Sequence, residues 1–258
     1  MVDAHAHLQH EVFAYDLDAV LDRARDAGVA RILVPGWDRA SSEAALELAA
    51  AHPDLLDAAV GIHPHDVAAA GEADWAAIET MAAGPGARAV GEIGLDFFRN
   101  LSPPGVQRDA LARQLDLAAR VGKPVVVHDR EAHAEVTAVL VAHAARRGGA
   151  GLPGILHAFS GDEAMATALV GAGYLISFAH PVSYAKNLGP RAAAAAIPAT
   201  SLLVETDSPY LGPASDQRNE PTTTLRTAAV LARLRDDPIE SIATVVGAAY
   251  RRLFPGWM

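Results

Sequence analysis

The chain has 258 residues, 51% of them hydrophobic, a formal net charge of -10 and no cysteine. The missing cysteines exclude disulfides, a thiolate nucleophile and thiolate zinc sites. The negative charge argues against broad electrostatic attraction to nucleic acid, so a polyanionic substrate has to be met by a local cationic pocket. No apolar run approaches the ~20 residues of a membrane span, and no basic-then-apolar leader opens the chain. The expectation is a cytoplasmic protein with no membrane partner.

In chain order, apolar runs rich in Val, Ile and Leu alternate with Ala-, Leu-, Arg- and Glu-bearing segments of helical spacing. Strands are expected over residues 2–8, 31–35, 57–62, 87–93, 124–128, 154–159, 174–178 and 202–206. Helices are expected over 16–27, 39–51, 74–83, 104–121, 131–146, 162–172, 186–196, 222–235 and 238–254. Ser41 offers an N-cap, and Gly28, Gly122 and Gly173 offer helix stops. Continuous apolar strands suit a parallel sheet covered by helices. Eight such units in one chain predict an α/β fold of the (β/α)8 TIM-barrel type, as a single domain over 1–258. An open doubly wound sheet accommodates eight evenly spaced units poorly, and no Gly-x-Gly-x-x-Gly follows the first strand.

In such barrels chemistry sits at the C-terminal ends of the strands. The first strand ends in His5-Ala6-His7, whose side chains at i and i+2 point to one face, about 7 Å apart along the chain. The third runs into Gly61-Ile62-His63-Pro64-His65, and the fourth ends in Gly91-Glu92-Ile93-Gly94-Leu95-Asp96. The fifth ends in His128-Asp129-Arg130, the sixth runs through His157 to Ser160-Gly161, and the eighth ends in Glu205-Thr206-Asp207-Ser208-Pro209. Taken singly, each is as readily a satisfied buried polar residue. Together, ionisable groups converging on an apolar barrel need a compensating charge, and divalent metal ions supply it. Four imidazoles and two or more carboxylates suit two metals bridged by a carboxylate.

The motifs Asp3-Ala4-His5-Ala6-His7-Leu8, Gly61-Ile62-His63-Pro64-His65, Gly91 to Asp96, Val127 to Arg130, His157 to Gly161, Glu205 to Tyr210 and Arg218-Asn219-Glu220-Pro221 resemble those of the TatD-family metal-dependent hydrolases. That family is a deoxyribonuclease branch of the amidohydrolase-like barrels. The motifs come in the family's order and cover nearly the whole chain. Gln9 stands where an acidic residue is common, Ala158 where Cys is common, and residues 214–217 lack the usual basic-glycine approach.

The resemblance implies one metal held by His5, His7 and Asp207 with Glu92 bridging, and a second on Glu92, His128 and His157. The ions would be zinc, magnesium or manganese. Asp207 would serve as ligand and general base, and Glu205 would orient a ligand histidine or form a buried ion pair. His63, His65 and Arg130 are the candidate phosphate contacts. Lys186 and Arg99 read as solvated charges. Phe97, Phe98 and Phe159 are candidates to stack on a base, although Phe98 and Phe159 suit packing under the loops at least as well. Asn219 and Glu220-Pro221 are expected to order the last loop and cap the helix after it. The implied activity is a metal-dependent deoxyribonuclease acting on single-stranded DNA or DNA ends, with no obligate protein partner. A deacylase of aminoacyl-tRNA on the same scaffold is the rival enzyme, and a non-catalytic scaffold protein the rival from another class.

Overall fold

The computed structural model describes residues 1–149, 151–213 and 217–256. Its eight strands are β1 (Val2–Asp3), β2 (Arg31–Pro35), β3 (Leu56–Val60), β4 (Ala87–Asp96), β5 (Val125–Arg130), β6 (Gly154–Leu156), β7 (Leu175–Phe178) and β8 (Leu202–Val204). They lie in one parallel sheet in sequence order. The sheet closes on itself: Ala4 N–H donates to Val204 O at 2.9 Å, and Ala6 bridges Ser208. This is the expected (β/α)8 barrel. The helices are α1 (Leu17–Asp26), α2 (Arg39–Ala51), α3 (Glu72–Ala83), α4 (Pro104–Val121), α5 (His133–Arg146), α6 (Glu163–Gly171), α7 (Leu188–Ala196), α8 (Thr224–Arg235) and α9 (Ile239–Leu253). Among the described residues, no helix is long and apolar enough to cross a membrane.

Alternation along β2 shows how the core is divided. Leu33 belongs to the same buried cluster as Val2, Ala4 and Ala59, whereas its neighbours Ile32 and Val34 belong to the one that holds Val20, Leu21 and Ala24 of α1. Successive strand side chains point to opposite faces, and both faces here are apolar because helices cover the outside. Each fully buried Leu or Ile contributes about 1.5–3 kcal/mol.

One cap and several strand ends differ from expectation. The N-cap of α2 is Asp38, not Ser41: Asp38 Oδ1 accepts from Ser41 N at 2.7 Å, and Ser41 Oγ accepts from Asp38 N at 2.9 Å. Ser41 lies three residues inside and completes a reciprocal box. Paired β1 also stops at Asp3, short of the expected 2–8, so His5 and His7 project from an irregular extension. Gly122 does end α4 in the left-handed conformation, at φ 71°.

The β4–β5 contact requires glycine. At Gly94, where φ is +151°, a Cβ would lie 2.0 Å from His128 O, and at Gly91 it would lie 2.6 Å from Val126 Cβ. These bare positions flank Glu92 and let β4 press against the strand that carries His128.

Candidate metal centre

Glu92, near the end of β4, is 3% exposed and stands at the middle of the rim. Its two oxygens face different partners. Oε2 lies 3.2 Å from His5 Nε2 and 3.5 Å from His7 Nε2. Oε1 lies 2.9 Å from His157 Nε2, 3.2 Å from His128 Nδ1 and 3.5 Å from His63 Nε2.

The first group has a fourth corner. Asp207 Oδ1 lies 3.7 Å from His5 Nε2 and 3.5 Å from His7 Nε2, and those two nitrogens are 3.2 Å apart. Four ligands at about 2.1 Å from a tetrahedral ion stand roughly 3.4 Å from one another. The separations of the first group bracket that value. In the second group, His128 Nδ1 and His157 Nε2 are 3.3 Å apart. Both groups therefore fit divalent ions in spacing and in donor chemistry, imidazole nitrogen with carboxylate oxygen.

Each ligating face is set by what holds the back of its ring. His7 Nδ1 lies 3.2 Å from Pro35 O, His128 Nε2 3.2 Å from Asp96 Oδ2, and His157 Nδ1 3.1 Å from Glu205 Oε1. Such partners fix the ring and raise its basicity. His5 is held differently, by stacking on His157 with ring centroids 3.9 Å apart. Asp207 stands at φ 57°, in the left-handed region, which costs a residue with a Cβ about 1–2 kcal/mol. Hydrogen bonds on both sides hold it there: Asp207 N–H donates to His5 O at 2.9 Å, and Asp207 O accepts from Tyr210 N at 2.7 Å.

The charges reinforce one another. Burial works to raise the Glu92 carboxyl, but His157, His5 and His63 outweigh it and hold it well below the ordinary range. Asp207 is likewise lowered, against burial, by His7 and His5. Burial works to lower His157, yet Glu92 and Glu205 raise it well above the ordinary imidazole value. His7 and His128 are also raised, the carboxylates Asp207, Asp96 and Glu92 outweighing their burial. Burial dominates at His63 and lowers it well below. Ionised carboxylates thus draw protons onto neighbouring imidazoles, a charge that divalent ions can take over.

The structure brings together every residue expected at the metal centre. It also places His63 there: His63 is 8% exposed, and His63, Glu92 and His128 offer ligand atoms within 4.8 Å of one another. His63 lies on the loop after β3, as the sequence indicates. The other two candidate phosphate contacts are differently engaged. His65 Nε2 lies 2.8 Å from Asp96 Oδ2, and the Arg130 guanidinium lies 4.1 Å from the Phe98 ring centroid. Asp129 pairs with His133 at 2.7 Å rather than with Arg130. Glu205 is fully buried and accepts from Ala158 N at 2.7 Å as well as facing His157. Phe159 is packed at 6% exposed, whereas Phe98 is 62% exposed.

Two residues carry more than sequence reading assigned them. Asp3 Oδ1 accepts from Thr206 N at 2.9 Å and Oδ2 from Thr206 Oγ1 at 2.6 Å, locking β1 to β8 below the centre. Asn219 Nδ2 donates to Thr206 O and Tyr210 O, both at 2.8 Å, and so clasps the loop bearing Asp207. Arg218 is spent on structure, pairing with both Asp16 oxygens at 2.7 Å. Residues 214–216 of the divergent stretch before it lie outside the described residues.

A family model described as TatD related DNase matches residues 2–255. The chain belongs to the TatD family. A metal-dependent hydrolase of Bacillus subtilis, YabD, is 34% identical over 256 residues, 98% of each chain. A TatD of Edwardsiella piscicida described as a 3'-5' ssDNA/RNA exonuclease is 38% identical over 261 residues, 98% of this chain and 99% of that one. The crystal structure of YJJV, a TatD homologue from Escherichia coli, superposes with a TM-score of 0.91 at 32% identity, covering 98% of this chain and 97% of that one. The organophosphorus hydrolase of Deinococcus radiodurans, at 15% identity and a TM-score of 0.64, shares the fold alone. The chain is accordingly a metal-dependent hydrolase of the TatD family.

Proposed function

We propose that this hydrolase is an exonuclease that cleaves phosphodiester bonds of single-stranded DNA at a centre holding two divalent ions. The observation that carries this reading is the split Glu92 carboxylate, with one oxygen on the His5–His7–Asp207 side and the other on the His128–His157–His63 side. Ions bound there supply the Lewis acidity that makes water nucleophilic at neutral pH and offsets charge on the phosphoryl group. Imidazole-rich donors favour zinc over magnesium in each group.

The chain's own residues divide the remaining work. Asp207 is held low enough to be ionised at neutral pH, and its side chain is 14% exposed, so it reaches the surface where substrate arrives. It accepts the proton of the attacking water. Glu92 fixes the spacing between the two ligand groups. Glu205 and Asp96 keep His157 and His128 oriented. Arg130 is exposed at the rim and can meet a phosphate while its other face rests on Phe98.

A surface cleft of about 410 Å³ lies near the loops after β6 and β7, with His133, Ser160 and Lys186 on its wall. The names of the Edwardsiella relative and its kin support a single-strand substrate.

The test is a substrate panel with metal-reconstituted protein: single- and double-stranded DNA, RNA, and an aminoacyl-tRNA. Stepwise release of mononucleotides from single strands is expected. Release of the amino acid with intact DNA would transfer the function to the deacylase reading.

A further inference from the structure

Next to His7, on the side away from His157, three aromatic rings gather that the metal centre does not use. Trp37 follows β2, His10 follows the His5–His7 extension, and Tyr210 follows Asp207. The His7 ring centroid is 5.3 Å from that of Trp37 and 6.0 Å from that of Tyr210. His10 closes the group at 6.2 Å from Trp37 and 5.9 Å from Tyr210.

Each backbone in this group is tied down. Trp37 N–H donates to Ser41 Oγ at 2.8 Å, and its carbonyl accepts from His63 N at 2.8 Å. His10 N–H donates to His7 O at 3.0 Å. The Tyr210 carbonyl accepts from Asn219 Nδ2 at 2.8 Å. Tyr210 nevertheless leaves 51% of its surface in solvent. A large ring on a fixed backbone, exposed beside a catalytic centre, has apolar area to cover and little entropy to lose when covered.

Resting on the nuclease reading, we propose that Trp37, His10 and Tyr210 form a cradle for the nucleobase of the unpaired nucleotide beside the scissile phosphate. Every base has a π-face, so stacking there binds without choosing a sequence. The phosphate of the same nucleotide is then directed to the neighbouring His7 side of the centre. A base still stacked within a duplex cannot enter, which gives a physical reason for single-strand preference. Phe98 and Arg130 lie on the opposite side, against β4 and β5. They frame the rim without belonging to this cluster.

The experiment compares a single-stranded oligonucleotide with the same strand carrying abasic residues at its two 3'-terminal positions. Wild type is expected to show a KM about 5- to 100-fold higher for the abasic strand, the range alanine truncation gives for one stacked base. Tyr210→Ala should raise KM for the intact strand by a comparable factor, with the loss falling on KM rather than kcat. It should add little on the abasic strand, because the partner is already gone. Tyr210→Phe should recover most of the affinity, since the ring does the binding. A second readout does not depend on turnover: deoxyadenosine monophosphate should quench Trp37 emission, read as the difference from Trp37→Phe, and quench it less in Tyr210→Ala. If wild type cleaves intact and abasic strands alike, the cradle is refuted and the nuclease reading stands. If wild type cleaves neither, the nuclease reading fails, and the quenching titration still decides the cradle, absence of quenching refuting it.

Discussion

Glu205 Oε1 lies 3.1 Å from His157 Nδ1, which leaves His157 Nε2 facing Glu92 Oε1 at 2.9 Å. A carboxylate behind a ligating imidazole fixes its tautomer and strengthens it as a donor, and removing one costs about 10–100-fold in metal affinity. Glu205→Ala is therefore expected to lose metal in that range while the His5–His7–Asp207 side keeps its own. Elemental analysis after dialysis against graded metal concentrations checks this. Two equivalents retained at wild-type affinity would make Glu205 a packing residue.

Removing metal should lower stability as well as abolish turnover. At a hundredfold excess over the dissociation constant, a ligand that binds only the folded state contributes about 2.7 kcal/mol. For a chain this long that is a rise in Tm of roughly 5–10 °C. Chelation should reverse the rise, and Glu92→Gln should blunt it because Glu92 serves both groups. The effect depends on pH. His7, His128 and His157 are raised above the ordinary imidazole value, and each must shed its proton to ligate. Metal affinity should accordingly decline as pH falls, starting above pH 6.5, in calorimetric titrations.

A second pH effect lies far from the centre. His143, buried within α5 and without a hydrogen-bond partner for either ring nitrogen among the described residues, is pushed down to about 4 by burial, with Arg147 and Arg146 adding to it and Asp116 opposing. Between the unfolded value of 6.5 and about 4 the unfolded chain takes up a proton that the folded chain refuses. Stability is therefore lost as pH falls through that window. His143→Leu should flatten the decline of Tm between pH 7 and pH 4.5 and leave Tm at pH 7 equal or higher, since no hydrogen bond is broken. An unchanged pH profile would clear His143 of the effect.

The barrel was legible because its strands are long apolar runs and its helices carry their own stops, as at Gly122. Glu92, His128 and His157 were legible because they stand in or just past paired strands, where position in the sequence sets position on the rim. The nearness of His63 to Glu92 and His128 was not legible, because it stands on the loop after β3, and local pattern does not show how a loop turns back into a centre. The ring cluster of Trp37, His10 and Tyr210 was invisible for the same reason. Its members follow three different strands, and only closure of the barrel between β8 and β1 makes them neighbours. Ser41 is as good a capping residue type as Asp38, and only the reciprocal hydrogen bonds between them show which is the cap and which stands inside the helix.

The central claim, hydrolysis of a phosphodiester by water activated between Glu92 and Asp207, is tested most directly by Asp207→Asn. The substitution keeps the size and an acceptor oxygen but removes the charge and the basic function. Single-turnover cleavage and binding of a single-stranded oligonucleotide are measured at saturating metal for wild type and variant. The account predicts a rate about 10²–10⁴-fold lower with affinity within a few fold of wild type, because Arg130 and the aromatic cradle remain. Cleavage at the wild-type rate would contradict it.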